Sequence, residues 1–351
     1  MISVCMIIKN EEKFLERCLR EVKKTGWEIV AVDTGSTDKS VEIAKKYTDK
    51  VYFFEWVNDF SAARNFSSEK AENDIVLMID ADEFITGFDK KKVEEQISKN
   101  KGKVGCIYRK NSYMQNGEMM SEIESISRIY DRRLYEFKGK IHEQVERKDG
   151  KKKEFYDVEI YTDHIGYDEN EIDKAKKAER NIKMLLKEIE DNGDDPYMYY
   201  QLGKSCYMIK EYEKALEYFA KGISMTPDPQ LEYVQNMVEC YGYTLINCEE
   251  YEAAMQIIDM YDIFAKSADY MFLAGLVLMN NGKLKEAIEE FEKAKKCKKY
   301  RGVGVNSYLA DYNIGVIYEC MGNIKKAEKH YKLCGDYKRA EEGLKRIKRL
   351  L

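Results

Sequence analysis

Proline is nearly absent: three residues in 351, at Pro196, Pro227 and Pro229, all in the second half. The chain therefore changes character near its middle, and two differently built halves are expected. No Gly-x-Gly-x-x-Gly and no Gly-x-x-x-x-Gly-Lys-Ser/Thr occurs, so no glycine-rich loop is available to cradle phosphates; dinucleotide enzymes and P-loop hydrolases are disfavoured. Cysteine occurs nine times but never as Cys-x-x-Cys. Those thiols are expected to be reduced and mainly buried, in a cytoplasmic chain, with no zinc-binding or catalytic cysteine. No apolar run approaches the length of a membrane span, and no signal-type apolar stretch follows Met-Ile-Ser-Val, so no membrane span is expected. Charge of one sign is also lacking. Charged residues make up 35% of the chain, yet the net charge is only −5. No basic block stands out apart from Lys338–Lys348, and nucleic acid is not expected as a partner.

What is present centres on Asp74–Ile85. The apolar run Ile75–Ile79 reads as a strand buried on both faces, as inside a parallel sheet. It ends in the carboxylates Asp80, Asp82 and Glu83. A bare Asp-x-Asp is ordinarily a solvated acidic turn. At the carboxyl end of a buried strand, however, two carboxylates one residue apart can reach one hard divalent cation, and ligands of open α/β sheets bind at that edge.

The preceding residues strengthen that reading. Ile2–Ile8 is an apolar strand running into Lys9-Asn10-Glu11-Glu12, followed by a helix with Phe14, Leu15, Cys18, Leu19 and Val22 on one face. Glu28–Val32 is a second strand, ending at Asp33-Thr34-Gly35-Ser36-Thr37-Asp38, and a helix over Lys39–Tyr47 follows. Val51–Phe54 is a third strand, and a helical segment with Phe60-Ser61-Ala62-Ala63-Arg64-Asn65 comes before the acidic strand. This βαβαβ order predicts a doubly wound, mostly parallel α/β sheet. Its strand ends deliver Asn10 with Glu11, Asp33 with Ser36, and Asp80 with Asp82 to one edge. With Arg64 they suit a nucleotide diphosphate held through a metal ion.

Four motifs in order, Ile7-Ile8-Lys9-Asn10-Glu11-Glu12, Val32-Asp33-Thr34-Gly35-Ser36-Thr37-Asp38, Ala63-Arg64-Asn65 and Asp80-Ala81-Asp82-Glu83, resemble glycosyltransferase family 2 over roughly residues 1–165. The resemblance implies a GT-A fold and a nucleotide-sugar donor. By that resemblance Asn10, Glu11, Asp33, Ser36, Arg64, Asp80 and Ala81 would contact the nucleotide sugar. Asp33 would meet the base, Arg64 the base or diphosphate, and Asp80 the ribose, while Asp82 would be the main protein ligand of Mg²⁺ or Mn²⁺. A sugar nucleotidyltransferase on the same sheet would normally open with a glycine-rich basic loop, unlike Lys9-Asn10-Glu11-Glu12.

Residues 86–165 are expected to form the acceptor side, with strands at Val104–Tyr108 and Ile126–Tyr130 and with Arg128, Arg132 and Arg133 nearby. Two of the three histidines fall in Gly139-Lys140-Ile141-His142-Glu143 and His164-Ile165-Gly166-Tyr167. Either one alone is more simply a hydrogen-bonded structural histidine. Similar stretches occur in family members with a helical second half. The usual acidic pair of the family is replaced here by His142-Glu143. Glu143 is the expected catalytic base, with His142 positioning it or touching phosphate; Asp131 and Glu124 are rivals. His164 is expected to complete the metal or diphosphate site.

Beyond Asp168 the pattern is helical. Glu169–Glu190 is a long amphipathic helix, expected to connect the halves over 166–193. From 194 to 351 an internal repeat runs through Gly203, Ala215 and Phe219; Gly242, Ala254 and Ile258; Gly275, Ala287 and Phe291; and Gly315, Ala327 and Tyr331. From Ala215 to Ala254, Ala287 and Ala327 the steps are 39, 33 and 40 residues. They resemble tetratricopeptide repeats, of period about 34, with insertions in two linkers. An all-α superhelix closed by a capping helix at 337–351 is predicted, and the tyrosines there serve packing rather than carbohydrate stacking. Such arrays present a surface to a peptide or protein, or join subunits into a homo-oligomer.

These readings combine into a metal-dependent, inverting glycosyltransferase using a UDP-hexose or UDP-N-acetylhexosamine, with a peptide or protein as expected acceptor. The architecture is similar to that of the sublancin-type peptide S-glycosyltransferases. The rivals are a transferase acting on a lipid-linked or cell-surface saccharide, and a repeat scaffold with a relic first domain.

Overall fold

The computed structural model describes residues 1–115, 118–165 and 171–349. Contacts divide the chain into two compact units, Met1–Asn170 and Glu171–Leu351.

In the first unit, β1 (Ile2–Ile8), β2 (Glu28–Asp33), β3 (Val51–Phe53) and β4 (Ile75–Met78) alternate with α1 (Leu15–Lys23), α2 (Ser40–Lys45) and α3 (Phe60–Glu69). The strands lie in the order β3-β2-β1-β4 and all run parallel. The βαβαβ reading therefore holds. Val4, Cys5, Met6, Val30, Ala31, Val32, Val76, Leu77 and Met78 are wholly buried, because helices cover both faces. The apolar stripe of α1 (Leu15, Cys18, Leu19, Val22) is buried as its spacing predicts. Ile8 pairs with Asp33, and the Ile79 amide donates to the Cys5 carbonyl at 3.0 Å, so the three strands β2, β1 and β4 finish on one edge.

Beyond β4 the sheet becomes mixed. β5 (Glu83–Phe88) and α4 (Lys90–Lys99) lead into β6 (Val104–Gln115) and β7 (Glu118–Asp131), then β8 (Tyr135–Lys138), β9 (Gln144–Arg147) and β10 (Phe155–Ile165). The eight-stranded order is β3-β2-β1-β4-β7-β6-β10-β5, with β8 and β9 as a separate hairpin. β7 is antiparallel to β4, and β5 to β10. The strands expected at 104–108 and 126–130 are the inner ends of a long antiparallel hairpin. Its outer part carries polar pairs such as Arg109 with Glu124, which an apolar pattern does not reveal.

The second unit is helical: α5 (Glu171–Asn192), α6 (Pro196–Met208), α7 (Tyr212–Ser224), α8 (Glu232–Asn247), three short turns α9 (Tyr251–Ala254), α10 (Gln256–Asp259) and α11 (Tyr261–Phe264), then α12 (Ala268–Asn280), α13 (Leu284–Lys296), α14 (Tyr308–Cys320), α15 (Ile324–Leu333) and α16 (Lys338–Ile347). The helix read as a connector, α5, packs on α6 and so belongs to this unit. Asp195 caps α6, accepting from the Tyr197 and Met198 amides, and Pro196 opens it where no amide donor is needed.

The repeat has a simple packing rule: a glycine of one helix receives the aromatic ring sixteen positions on, at Gly203–Phe219, Gly275–Phe291 and Gly315–Tyr331. The second unit of the array departs from it. There the second helix is broken into α9–α11, and Ile257 rather than the expected Ile258 is buried against Gly242. A Cβ at residue 203 would stand 2.4 Å from the Phe219 ring. Overpacking of this kind costs about 1–3 kcal/mol, against a gain of about 1 kcal/mol in helix propensity. Gly203→Ala should therefore lower the urea midpoint, and Phe219→Leu in that background should recover part of the loss. Additive losses would show that the contact is not the cause.

Candidate active site

Three strand ends and one helix build the site. At the β1 and β2 ends, backbone and side chains staple the two loops together. Asn10 adopts φ 56°, its amide donates to Ser36 Oγ at 3.0 Å, and its Oδ1 accepts from the Thr37 amide at 2.8 Å. The Glu11 amide donates to Ser40 Oγ at 2.7 Å. Asp33 is buried and accepts from the amides of Gly35 (3.1 Å) and Ser36, a turn that needs the left-handed Gly35 at φ 103°. Asn10, Glu11, Asp33 and Ser36 thus gather at one sheet corner, as the sequence suggested.

α3 contributes the second part. Asp59 caps it, and Asn65 grips the Phe137 main chain through Nδ2–O (2.9 Å) and N–Oδ1 (2.8 Å). The Phe60 amide also donates to the Lys140 carbonyl at 2.9 Å. These bonds dock the 137–143 segment on α3. That segment turns through Gly139 (φ 99°) and His142 (φ 52°), a backbone state few side-chain-bearing residues adopt. The turn brings Glu143 to Arg64, which donates from Nε to Oε1.

From that contact a line of alternating charge crosses the strand ends. Arg64 Nη2 lies 2.8 Å from Asp80 Oδ1, and Arg128 Nη2 lies 2.6 Å from Asp80 Oδ2 and 3.0 Å from Glu83 Oε1. Arg109 then joins Glu83 (2.8 Å) to Glu124 (2.9 Å). Burial by itself would raise the Asp80 carboxyl, but Arg128 and Arg64 beside it hold it well below the usual carboxylate range. Burial disfavours the charge on Arg64 as well, and the carboxylates of Asp80 and Glu143 more than reverse that. The three clustered acids of Asp80-Ala81-Asp82-Glu83 therefore differ in kind. Asp80 has both oxygens on guanidinium groups, Glu83 is fully buried between two arginines, and Ala81 is buried, which leaves only main chain for any contact.

Asp82 alone of the three carboxylates has no arginine partner among the described residues. β10 pairs His164 with Glu83, so the imidazole falls beside the preceding residue: Nε2 is 3.1 Å from Asp82 Oδ2, and Nδ1 is 3.0 Å from Asn111 Oδ1. Burial lowers the proton affinity of His164, and the Asp82 carboxylate outweighs it, so the net shift is upward. Asp131, a rival base, is instead taken by Arg133 at 2.7 Å, and Glu124 by Arg109. The Gly166-Tyr167 part of the second histidine stretch lies outside the described residues.

Sequence reading overlooked Arg109, Asn111 and the role of Arg128. The available signal was a charged residue within an apolar strand, Ile126-Ser127-Arg128-Ile129-Tyr130, which demands a buried partner.

Comparison with known proteins matches residues 3–158 to Glycosyl transferase family 2 and residues 196–229 and 268–298 to the tetratricopeptide repeat. The chain carries a family 2 glycosyltransferase domain followed by tetratricopeptide repeats. The SPbeta prophage-derived glycosyltransferase SunS of Bacillus subtilis is 27% identical over 235 residues, covering 64% of this chain and 53% of that protein. A TPR repeat-containing protein of Synechococcus elongatus is 26% identical over 242 residues, covering 66% of this chain and 59% of its own. The chain thus spans little more than half the length of these relatives. Among solved structures, the TPR protein YrrB, described as having an unusual peptide-binding site, is 21% identical over 48% of this chain and 84% of its own, with a TM-score of 0.41.

Whether the glycosyltransferase domain suits a divalent cation is tested by the hydrogen bonds of His164. Both ring nitrogens face oxygen atoms, Asp82 Oδ2 and Asn111 Oδ1. A neutral ring can donate to only one of them. With Nδ1–H on Asn111, the Nε2 lone pair would meet a carboxylate, which a proton or a cation between them relieves. The orienting amide beyond the imidazole is the usual outer support of a metal ligand. The pair fits a cation. Among the described residues no group of three or more His, Cys, Asp or Glu side chains forms a complete cage.

Proposed function

We propose that the family 2 domain is a metal-dependent, inverting glycosyltransferase that takes a hexose or N-acetylhexosamine from a UDP-sugar. The acceptor is a peptide or protein. The observation that carries this reading is the Asp82–His164 pair, a carboxylate and an imidazole in contact at the strand ends with no arginine on the carboxylate, two residues from the arginine-clamped Asp80.

In this reading Asp82 and His164 would hold Mg²⁺ or Mn²⁺, which would supply charge neutralisation for the departing nucleoside diphosphate. The corner of Asn10, Glu11, Asp33 and Ser36 receives the base and ribose. Arg64 and Asp80, locked together, fix the wall beneath the diphosphate. Arg64 Nη1 and Arg128 Nε are buried with no acceptor among the described residues, which supports an electropositive lining there. Glu143 has Oε1 on Arg64, while Oε2 makes no hydrogen bond among the described residues, so it is the oxygen that takes the acceptor proton as the nucleophile attacks the anomeric carbon. His142, at the strained turn before it, sets its direction. SunS is named a glycosyltransferase, which supports sugar transfer, and the tetratricopeptide repeats provide a surface for a polypeptide acceptor.

The test is a panel of nucleotide sugars incubated with the purified chain and Mn²⁺ or Mg²⁺, reading release of nucleoside diphosphate. Turnover is expected with a UDP-sugar and its loss with EDTA. Equal turnover with and without EDTA would remove the metal from the mechanism.

A further inference from the structure

The repeat array contains a polar seam that glycosyl transfer leaves unexplained. It lies where the first helices of successive repeats, α6, α8 and α12, adjoin. Glu239 on α8 and Asp269 at the start of α12 are both buried, 4% and 7% exposed. Their partner comes from far along the chain. The linker 297–307 between α13 and α14 folds back so that the Arg301 guanidinium meets the Glu239 carboxylate. The Arg301 and Gly302 amides donate to the two oxygens of Asp269 at 2.9 and 2.8 Å, and the Lys299 carbonyl accepts from the Ala268 amide, an otherwise orphan donor of the α12 N-terminus, at 2.8 Å. Asn236, with its amide turned to suit both neighbours, accepts from Arg301 Nη1 and Nη2 at 3.1 and 3.0 Å and donates to Tyr200 Oη on α6 at 2.9 Å.

Residues 299–302 therefore lie on this face as a bound peptide would, through a carbonyl, two consecutive amides and one anchoring side chain. The fit is close. A Cβ at Gly302 would stand 3.1 Å from Asp269 Oδ1, and Gly304 turns the chain away at φ 100°. Among the described residues the guanidinium meets Glu239, which also accepts from Ser267 Oγ at 3.4 Å, while Asp269 is met by main-chain amides alone, so two buried carboxylates are served by one cation. Burial pushes the Glu239 carboxyl up to about 7, Arg301 works against that, and the Asp269 charge adds to it. A carboxylate pair buried this deeply needs a cation from somewhere, and a planar guanidinium fits both Glu239 and Asn236 where an ammonium does not.

We propose that the seam of Asn236, Glu239 and Asp269 is a recognition site for an extended peptide segment bearing an arginine followed by a small residue, and that the 297–307 linker fills it in cis as a built-in competitor. Every contact the linker makes there is one that an Arg-Gly stretch of another polypeptide can reproduce. The site is independent of the sugar chemistry and stands whether or not the first domain transfers a sugar. Because the linker is tethered, its effective concentration is about 1 mM, so a partner must bind more extensively than the linker to displace it.

The test uses the full chain and a labelled peptide copying residues 298–305. Arg301→Ala, which vacates the guanidinium position, should bind this peptide at least tenfold more tightly than the unaltered chain. Adding Glu239→Gln should abolish that gain, as should alanine in place of the peptide's arginine. Binding of the opened variant no tighter than that of the unaltered chain, or equal binding of the arginine-less peptide, would overturn the proposal. Should the variant not fold, hydrogen exchange in the unaltered chain decides. Millimolar peptide should accelerate exchange at the Arg301 and Gly302 amides, and unchanged protection would mean that the linker is a fixed part of the fold.

Discussion

Asp82→Asn should reduce sugar-nucleotide turnover at least ~100-fold while leaving the thermal midpoint of the first unit nearly unchanged. The size of the effect follows from the role proposed for the residue: loss of a charged metal ligand would remove both cation affinity and neutralisation of the leaving diphosphate, each worth orders of magnitude. The small effect on folding follows from its contacts. Asp82 is bonded to His164 at the surface of the cleft, whereas its neighbours are held by buried arginines. Asn keeps the shape and a hydrogen-bonding oxygen but lacks the charge. The measurement is nucleoside diphosphate release across a metal titration. Activity restored by excess Mn²⁺ would place the defect in metal affinity; activity unchanged at every metal concentration would remove Asp82 from the chemistry.

Arg128→Met should have the opposite signature, a large loss of stability. Glu83 has no exposed surface and shares Arg128 with Asp80. Removing one partner of a buried ion pair costs about 3–5 kcal/mol; here Glu83 keeps Arg109 and Asp80 keeps Arg64, so each desolvated carboxylate loses part of its compensation and the cost should fall at the lower end of that range. For a unit of this size that is a fall of roughly 10 °C in melting temperature. Arg128→Lys restores a point charge without the fork that reaches both Asp80 and Glu83, so it should recover only part of the loss. Combining Arg128→Met with Glu83→Met removes both sides of one arm, and the double variant should be less destabilised than the sum of the singles. Simple additivity would show that the two side chains are not energetically joined. Circular dichroism melts of the four proteins decide the matter.

The two predictions separate carboxylates that look alike in sequence. Asp80, Asp82 and Glu83 fall within four positions, and a strand-end acidic cluster is legible from pattern alone because an apolar run must stop where charge begins. Which carboxylate is available is not legible, because the arginines that neutralise Asp80 and Glu83 come from α3, β6 and β7. The same holds for His164. Its stretch drew notice in the sequence, but its place beside Asp82 is set by the pairing of β10 with β5, and β5 itself begins inside what read as an acidic tip. The repeat half shows the complementary case. Gly203, Gly275 and Gly315 and their aromatics repeat at a fixed spacing that the sequence displays and the fold turns into contacts, while the second repeat slips by one position because its second helix is broken.

By itself the sequence determined what local pattern carries: a βαβαβ start with polar strand ends, an amphipathic first helix, and a small-residue repeat whose period requires stacked helix pairs. Those features follow from burial and periodicity, which act within a dozen residues or across one regular interval. Tertiary structure alone decided how charge is distributed at the cleft, which of three acids stays free of arginine, and that Arg301 lies between Glu239 and Asn236. Ion pairs buried between strands and loops distant in sequence leave no periodic trace, since their partners are chosen by the fold and not by the spacing of the residues that make them.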